Sequence, residues 1–537
     1  MKILLCCTTI EDGHRDDEQE DSHYPLGLGY LQAYLEEHGD HEVKSLYLNN
    51  VNYDICHAKI KKTIEEFQPE MIGISLMTHS RVSAYRTIEW VHENYPDMHI
   101  ITGGMHVSVM YKKMVEKYPY TIAVIGEGEE TLNDIVNTYE NNGNIEEVQG
   151  IAYHDGEKVV VTPRRPLIQD LDTLPFPRHD LFIHEGKKMA NLLTSRGCPF
   201  KCNFCVLDHT SRRKVRFRSG EDIADEVEMI LTNHPSIESI WIHDDAFMIN
   251  KDRTLDFCEA IIRRGIKTSF VASARFNPID ENVVKKMEMA GFSHVLFGLE
   301  SGAAEVMKGM RKGITKQHAI DGMKMFAEIA PSIKTTAFLI AGLPGETDET
   351  VEETIEFVQE LQSINYTFYD DIGVCMIYPG TEIYTSALIK GKMTDDYWMT
   401  DKPVPYYTPE FGGVHEYDKL MQMKERIREG IALSKMFTPV GFLLQRKLIP
   451  KVIEYCMRFG LSGLFPVFMN AINKFNLGIE LISGLYDKNR YDIVKKKMNL
   501  AVEKIILENV LQNITSEKEK VAFFKEYKNI VENENKL

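Results

Sequence analysis

The chain has 537 residues, 43% of them hydrophobic, which is enough for several buried cores rather than one. Its 62 Lys and Arg against 80 Asp and Glu leave a formal charge of −18, which argues against binding a nucleic-acid phosphate backbone or acting on an RNA substrate. No window reaches the ~18 uncharged apolar residues of a membrane span. Six of the nine cysteines are scattered, at Cys6, Cys7, Cys56, Cys258, Cys375 and Cys456, a usage that suits a reducing cytoplasm and no disulfide scaffold.

The first residues, MKILLCC, are too short in apolar length for a secretory signal and read as a first strand. Further apolar runs at 41–48, 71–77, 99–104 and 121–128 alternate with amphipathic stretches such as 26–39 and 81–96. That alternation predicts a doubly wound α/β domain with a parallel sheet over 1–150. A hairpin follows around Asp155-Gly156, then a proline-marked linker, together filling 151–187. Strand candidates at 189–195, 237–243, 266–272, 293–299, 334–341 and 369–377 predict six βα units over 188–394. Such a run forms a partial barrel with its chemistry at the carboxyl ends of the strands. Within it, Ser219 and Asp222 have the spacing of a capping box opening a helix. From 395 to 537 the pattern is helical.

One loop stands out. TSRGCPFKCNFC, residues 194–205, places Cys198, Cys202 and Cys205 in C-x3-C-x2-C spacing after a strand. Three buried structural thiols at that spacing would be unusual, and a disulfide leaves one over. A structural zinc site needs four ligands; only His209 is near, and there is no second C-x2-C knuckle. Three thiolates suit a 4Fe–4S cluster with one iron open, since a fully ligated cluster takes a fourth cysteine.

The loop resembles the radical S-adenosylmethionine superfamily, whose C-x3-C-x2-C signature it matches residue for residue. The resemblance implies cluster ligation by Cys198, Cys202 and Cys205, with Phe204 packed near the adenine. It also implies that the cosubstrate's methionyl amine and carboxylate bind the open iron, and that one electron then cleaves the sulfonium to a 5′-deoxyadenosyl radical. Later strand ends extend the match. Asp244 and Asp245 in IWIHDDAF stand where the family receives the methionyl ammonium, and Arg275 where a guanidinium suits the carboxylate. Glu300 and Ser301 fall near the ribose or methionyl group. Gly342, Pro344 and Gly345 stand where backbone approaches the cofactor. Alone, Asp244–Asp245 also reads as a solvated loop end and Arg275 as a surface ion pair.

The first domain has no G-x-G-x-x-G after its first strand, which disfavours a dinucleotide; Gly27 and Gly29 sit inside a helical pattern. Its order PLGLGYL, GISLMT, TGGMHVS, VIGEGEETL resembles the cobalamin-binding domain of the cobalamin-dependent radical class. The resemblance places Ser75, Gly103 and Gly104 along the slot for the cobalamin tail, with Glu127 and Glu129 facing the corrin or the neighbouring domain. The axial-histidine signature D-x-H-x-x-G is incomplete: Asp12 and His14 are present, but Asp17 replaces the glycine, so His14 reads as an incidental polar-loop residue.

Together these features imply an α/β enzyme: a Rossmann-like cobalamin-binding domain, a partial (β/α)6 barrel and a helical C-terminal region. Its cofactors would be a 4Fe–4S cluster, S-adenosyl-L-methionine and cobalamin. The leading expectation is methylation of an unactivated carbon of a small-molecule or lipid-like substrate, with an electron donor such as flavodoxin or ferredoxin. Radical cyclisation, rearrangement or carbon–carbon coupling is the first alternative, and a non-catalytic cobalamin or redox sensor the second. The apolar stretch 436–475, punctuated by Lys447, Lys451 and Arg458, reads as capping helices and leaves peripheral membrane contact open.

Overall fold

The structure, a computed structural model, describes residues 1–10, 24–48, 51–184, 186–365 and 368–437. His14 with its flanking acids, and the C-terminal stretches beyond 437, lie outside the described residues. One compact unit, Met1–Thr354 with Thr367–Glu425, contains both large sheets.

The N-terminal half of that unit follows the strand–helix alternation. Its strands are β1 (Lys2–Cys7), β2 (Glu42–Tyr47), β3 (Met71–Ser75), β4 (His99–Gly103), β5 (Thr121–Val124), β6 (Ile151–His154) and β7 (Val159–Val161). Their order is β2-β1-β3-β4-β5-β6-β7; the first five are parallel and the last two antiparallel. Helices α1 (Leu26–His38), α2 (Tyr53–Phe67), α3 (Arg81–Asn94) and α4 (Met105–Lys117) make the crossovers between parallel strands, and α5 (Glu129–Glu140) leads from β5 to the antiparallel β6. Parallel strands covered on both faces must be apolar throughout, and Ile3, Leu4, Leu5 and Cys6 are all essentially inaccessible. The hairpin between β6 and β7 turns as expected: Gly156 has φ 101° and the Asp155 carboxylate accepts from the Glu157 and Lys158 amides.

The second half contains β8 (Met189–Leu192), β9 (Ser195–Arg196), β10 (Arg216–Phe217), β11 (Ser239–Ile242), β12 (Ser269–Ala274), β13 (Phe292–Glu300), β14 (Lys334–Ala341) and β15 (Phe368–Val374). Six of these pair in parallel in the order β15-β14-β13-β12-β11-β8, sequential as in a barrel wall. The antiparallel ribbon β9–β10, which brackets the cysteine loop, is not signalled by the sequence pattern; 189–195 reads there as one strand. The Ser219 hydroxyl accepts from the Asp222 amide and opens the next helix, but the box is half-made. Ser219 donates its own amide to Asp172, because the Asp222 carboxylate is taken by Arg218.

Candidate active site

The cysteine loop starts from a steric constraint. Gly197 has φ 98°, and a Cβ there would stand 2.2 Å from the Lys214 carbonyl oxygen, so the turn from β9 into Cys198 admits only glycine. The loop is then pinned by backbone bonds: Asn203 donates to Met310, and Glu382 and Ile383 donate to Asn203. Cys198, Cys202 and Cys205 are free and half-buried. Burial raises the Cys198 thiol and pushes Cys205 up to about 11, opposed by the Phe200 and Leu207 amides respectively. Asp245 and the neighbouring thiols raise both further. Among the described residues no three Cys, His, Asp or Glu side chains converge on one metal ion. A cubane cluster does not require that convergence, because each thiolate takes a different iron.

The two acids after β11 part company. Asp244 is 2% exposed, and its carboxylate accepts from the Thr194 amide (2.7 Å) and hydroxyl (2.6 Å), the Ser195 amide (3.0 Å) and hydroxyl (2.7 Å), and Arg253. It is a strut that ties β9 to the sheet. Asp245 instead is exposed on the wall of a cavity, where partial desolvation, then the Asp244 charge, raise its carboxyl to about 6 against a single Gly197 amide.

Other barrel residues divide similarly. The Arg275 guanidinium stacks 3.5 Å from the Phe200 ring centroid and donates to the Lys312 carbonyl. Its Nε is buried with no hydrogen-bond partner, and its charge is felt at Cys198. Such an unsatisfied guanidinium edge beside the loop fits a carboxylate ligand. Glu300 has φ 67° at an irregularity of β13 and is ion-paired with Lys312, whose Nζ is 6.0 Å from the half-buried Phe204 ring. Ser301 is fully buried; its hydroxyl meets Thr354 and accepts from the Ala303 amide, so it organises the turn after β13. Gly342 has φ 85°, and the atom that needs its missing side chain is Leu420 Cδ2, 2.5 Å from a built Cβ.

The N-terminal domain contributes a cradle. A cavity of about 320 Å³ is bounded by Ser75, Gly103 and Gly104 at the ends of β3 and β4, and by Gly126 and Glu127 after β5. Its barrel side is formed by Arg196, Gly197 and Asp245. Gly104 has φ 93° and its Cβ would press on the Leu76 carbonyl at 2.7 Å, whereas a Cβ on Gly27 or Gly126 would meet nothing within 4 Å. Side chains at those last two positions would occupy the cavity itself. Gly27, hidden by its helical context in the sequence, is therefore part of this cradle. The Ser75 hydroxyl hydrogen-bonds with the Cys7 thiol.

Glu127 and Glu129 face the barrel. Burial alone would raise Glu127, but Arg216 and Arg196 outweigh it and hold the carboxyl below its usual range. Arg196 donates to Glu127 (3.3 Å) and Glu129 (2.7 Å), and Arg216 donates to Glu127 (2.8 Å). Neither arginine stands out in the sequence. The available signal was position: Arg196 lies two residues before the first loop cysteine.

A three-thiol loop at the head of a sequential parallel barrel wall, facing a glycine-lined cavity in a doubly wound domain, defines a class: a radical S-adenosylmethionine enzyme with a second, large-cofactor domain. Comparison with known proteins carries this further. Residues 192–358 match the Radical SAM superfamily and residues 18–136 the B12 binding domain. The chain is 30% identical over 457 residues to the uncharacterized methyltransferase PH0819 of Pyrococcus horikoshii, covering 83% of this chain and 94% of that one. It is 28% identical over 362 residues to the anaerobic magnesium-protoporphyrin IX monomethyl ester cyclase of Cereibacter sphaeroides, covering 64% of this chain and 58% of that one. The solved structure of the cobalamin-dependent S-adenosylmethionine radical enzyme OxsB superposes with a TM-score of 0.63 at 18% identity, over 93% of this chain and 75% of that one. The chain belongs to the radical S-adenosylmethionine enzymes that carry a cobalamin-binding domain, and its cofactors are a 4Fe–4S cluster, S-adenosylmethionine and cobalamin.

Proposed function

We propose that the protein is a C-methyltransferase that acts on an unactivated carbon of a small-molecule or lipid-like substrate. The observation that carries this reading is that one cavity is lined by both domains, with Ser75, Gly103 and Gly104 on one side and Gly197 and Asp245 on the other. Hydrogen abstraction and methyl delivery must reach the same carbon, and a shared cavity is where they can. When bound, the cluster supplies the electron that cleaves S-adenosylmethionine and cobalamin supplies the methyl group. The chain's own work is to hold and orient. Cys198, Cys202 and Cys205 hold the cluster, Arg275 receives the methionyl carboxylate and Asp245 the ammonium. Phe204 packs against the adenine, and Glu300 is positioned by Lys312 at the same strand ends. Leu5, Ile74 and Leu193 make the cavity walls apolar, which excludes water and strengthens the electrostatic contacts that hold the reacting groups in place. The electron comes from a small redox protein such as flavodoxin or ferredoxin, and the site of action is the cytoplasm. No helix among the described residues is long and apolar enough to cross a membrane. The relative named a methyltransferase, matched over nearly its whole length, supports this reading over the cyclase relative.

The test is anaerobic purification with iron–sulfur reconstitution, then visible spectra and mass analysis for both cofactors, followed by incubation with methyl-labelled S-adenosylmethionine and dithionite. Bound cluster and cobalamin with label transferred to a carbon fulfil the proposal. Iron without cobalamin, or deoxyadenosine with no methylated product in the presence of substrate, refutes it.

A further inference from the structure

Arg196 occupies the junction between the cluster loop and the cavity. It is followed directly by Gly197 and Cys198, yet its guanidinium leaves the barrel for the N-terminal domain. Its terminal nitrogens donate to Glu127 and Glu129, and its Cζ lies 5.0 Å from the Tyr30 ring centroid. All three partners line the cavity. Arg216, paired with Arg196 across the β9–β10 ribbon, grips Glu127 from the other side, each of its terminal nitrogens 2.8 Å from a carboxylate oxygen. The Arg216 Nε is buried with no hydrogen-bond partner, so this cluster is not fully satisfied as it stands. The Ile168 amide also donates to Glu127, at 3.1 Å.

The arrangement gives little slack. Gly197 is packed so tightly against the Lys214 carbonyl that a Cβ would fall 2.2 Å from it, and its amide is bonded to Asp245 on the cavity wall. A displacement of the Glu127–Glu129 segment must therefore either break charge-assisted bonds or carry Arg196, and with it the start of the cysteine loop. Buried ion pairs of this kind fix geometry more than they add stability.

We infer that Arg196 couples the two cofactor sites: cobalamin in the cavity and S-adenosylmethionine at the cysteine loop alter each other's affinity, and Arg196 is the positioning residue that transmits the effect. The inference rests on the proposed assignment of those two sites. Coupling of this kind is reciprocal, so it can be read from either ligand.

The experiment is titration of hydroxocobalamin into the cluster-reconstituted full chain, followed by its visible bands, with and without saturating S-adenosylmethionine. The ratio of the two dissociation constants is the coupling factor. The unsubstituted chain is expected to show a factor of about 5 or more. In Arg196→Met the factor falls to within about twofold of unity while each ligand still binds, and Arg196→Lys retains an intermediate value. Glu129→Gln removes one arm without touching the loop, and is expected to lower the factor too; it decides the matter should Arg196→Met not fold. A merely structural Arg196 would weaken both ligands and leave the ratio unchanged, which overturns the inference, as does a ratio of one in the unsubstituted chain. An unsubstituted chain that binds no cobalamin at all removes the functional reading itself and the inference with it, an outcome distinct from any comparison of variants.

Discussion

The two adjacent acids after β11 make opposite predictions. Replacing Asp244 with Asn preserves shape but leaves a neutral amide where a carboxylate accepts two amides, two hydroxyls and the Arg253 guanidinium. Thr194 and Ser195 can rotate their hydroxyls to serve the new amide; Arg253 cannot adapt. Its Nε and one terminal nitrogen are already buried without partners, and burial lowers its pKa against the pull of Asp244. Stranding one member of a buried pair costs about 3–5 kcal/mol. At about 1 °C per kcal/mol for a unit of this size, the melting temperature falls by about 3–6 °C. Asp245 is exposed, and Asp245→Asn changes only its bond from the Gly197 amide and relieves the repulsion from Asp244, so its melting temperature stays within about 2 °C of the parent. Thermal melts of the cluster-free full chain by circular dichroism make the comparison. The reasoning fails if Asp244→Asn melts within 2 °C of the parent, or if the two variants melt alike.

Gly27→Leu is expected to leave the fold at least as stable, since Leu is preferred to Gly in a helix by up to about 1 kcal/mol. The new side chain enters space now open in the cavity, so hydroxocobalamin affinity should drop at least about tenfold. Unchanged affinity in a titration would remove the cavity as the cobalamin site. Gly104→Ala must accommodate φ 93° and a 2.7 Å approach to the Leu76 carbonyl, at a cost of about 1–3 kcal/mol, whereas the nearest atom to a Cβ on Gly103 is 3.8 Å away. Thermal melts should therefore separate the two alanine variants, with only the first destabilised. Burial raises the Glu346 carboxyl to about 7 against one Gly342 amide, so the folded state favours the protonated form and loses stability as pH rises from about 4.5 through 7. Glu346→Gln escapes that loss: its melting temperature should match the parent near pH 4.5, exceed it increasingly up to about pH 7 and level off above that, and a gap that narrows as pH rises to 7 would contradict the assignment.

What the sequence revealed and what it hid follow from how local each feature is. Apolar runs such as KILLCC and FVASA announce parallel strands because burial on both faces leaves no polar alternation to misread. The cysteine spacing is equally local. The uses of Ser301, Gly342 and Asp244 are not, because each residue type has a second employment. A buried Ser can cap a turn, as Ser301 does with Ala303; a Gly can admit a neighbour's side chain, as Gly342 admits Leu420; an Asp can bind its own fold, as Asp244 binds Thr194 and Arg253. Which employment applies is decided by elements 50 or more residues away in Asp244's bonds to Thr194, beyond any periodicity. Arg196 and Gly27 were hidden for the same reason: their partner is a cavity that exists only once both halves have folded.

The electrostatics of the site narrow the role of Asp245 beyond position alone. The chain carries an excess of 18 negative charges, yet the acids of the cavity and of the neighbouring strand ends are largely paired. Glu127 and Glu129 are balanced by Arg196 and Arg216, Glu300 by Lys312 and Asp244 by Arg253. Among the described residues no cation pairs with Asp245, which stays open to solvent while partial desolvation and the adjacent Asp244 charge raise its carboxyl. A neutral ligand would leave that rise in place and an anion would add to it. A cationic group set beside Asp245 removes it, so the cavity wall favours a ligand that brings a positive charge to that point. The proposed role of Asp245 asks for such a group, and the ammonium and sulfonium of S-adenosylmethionine are of that charge; Asp245 and Gly197 line the same cavity.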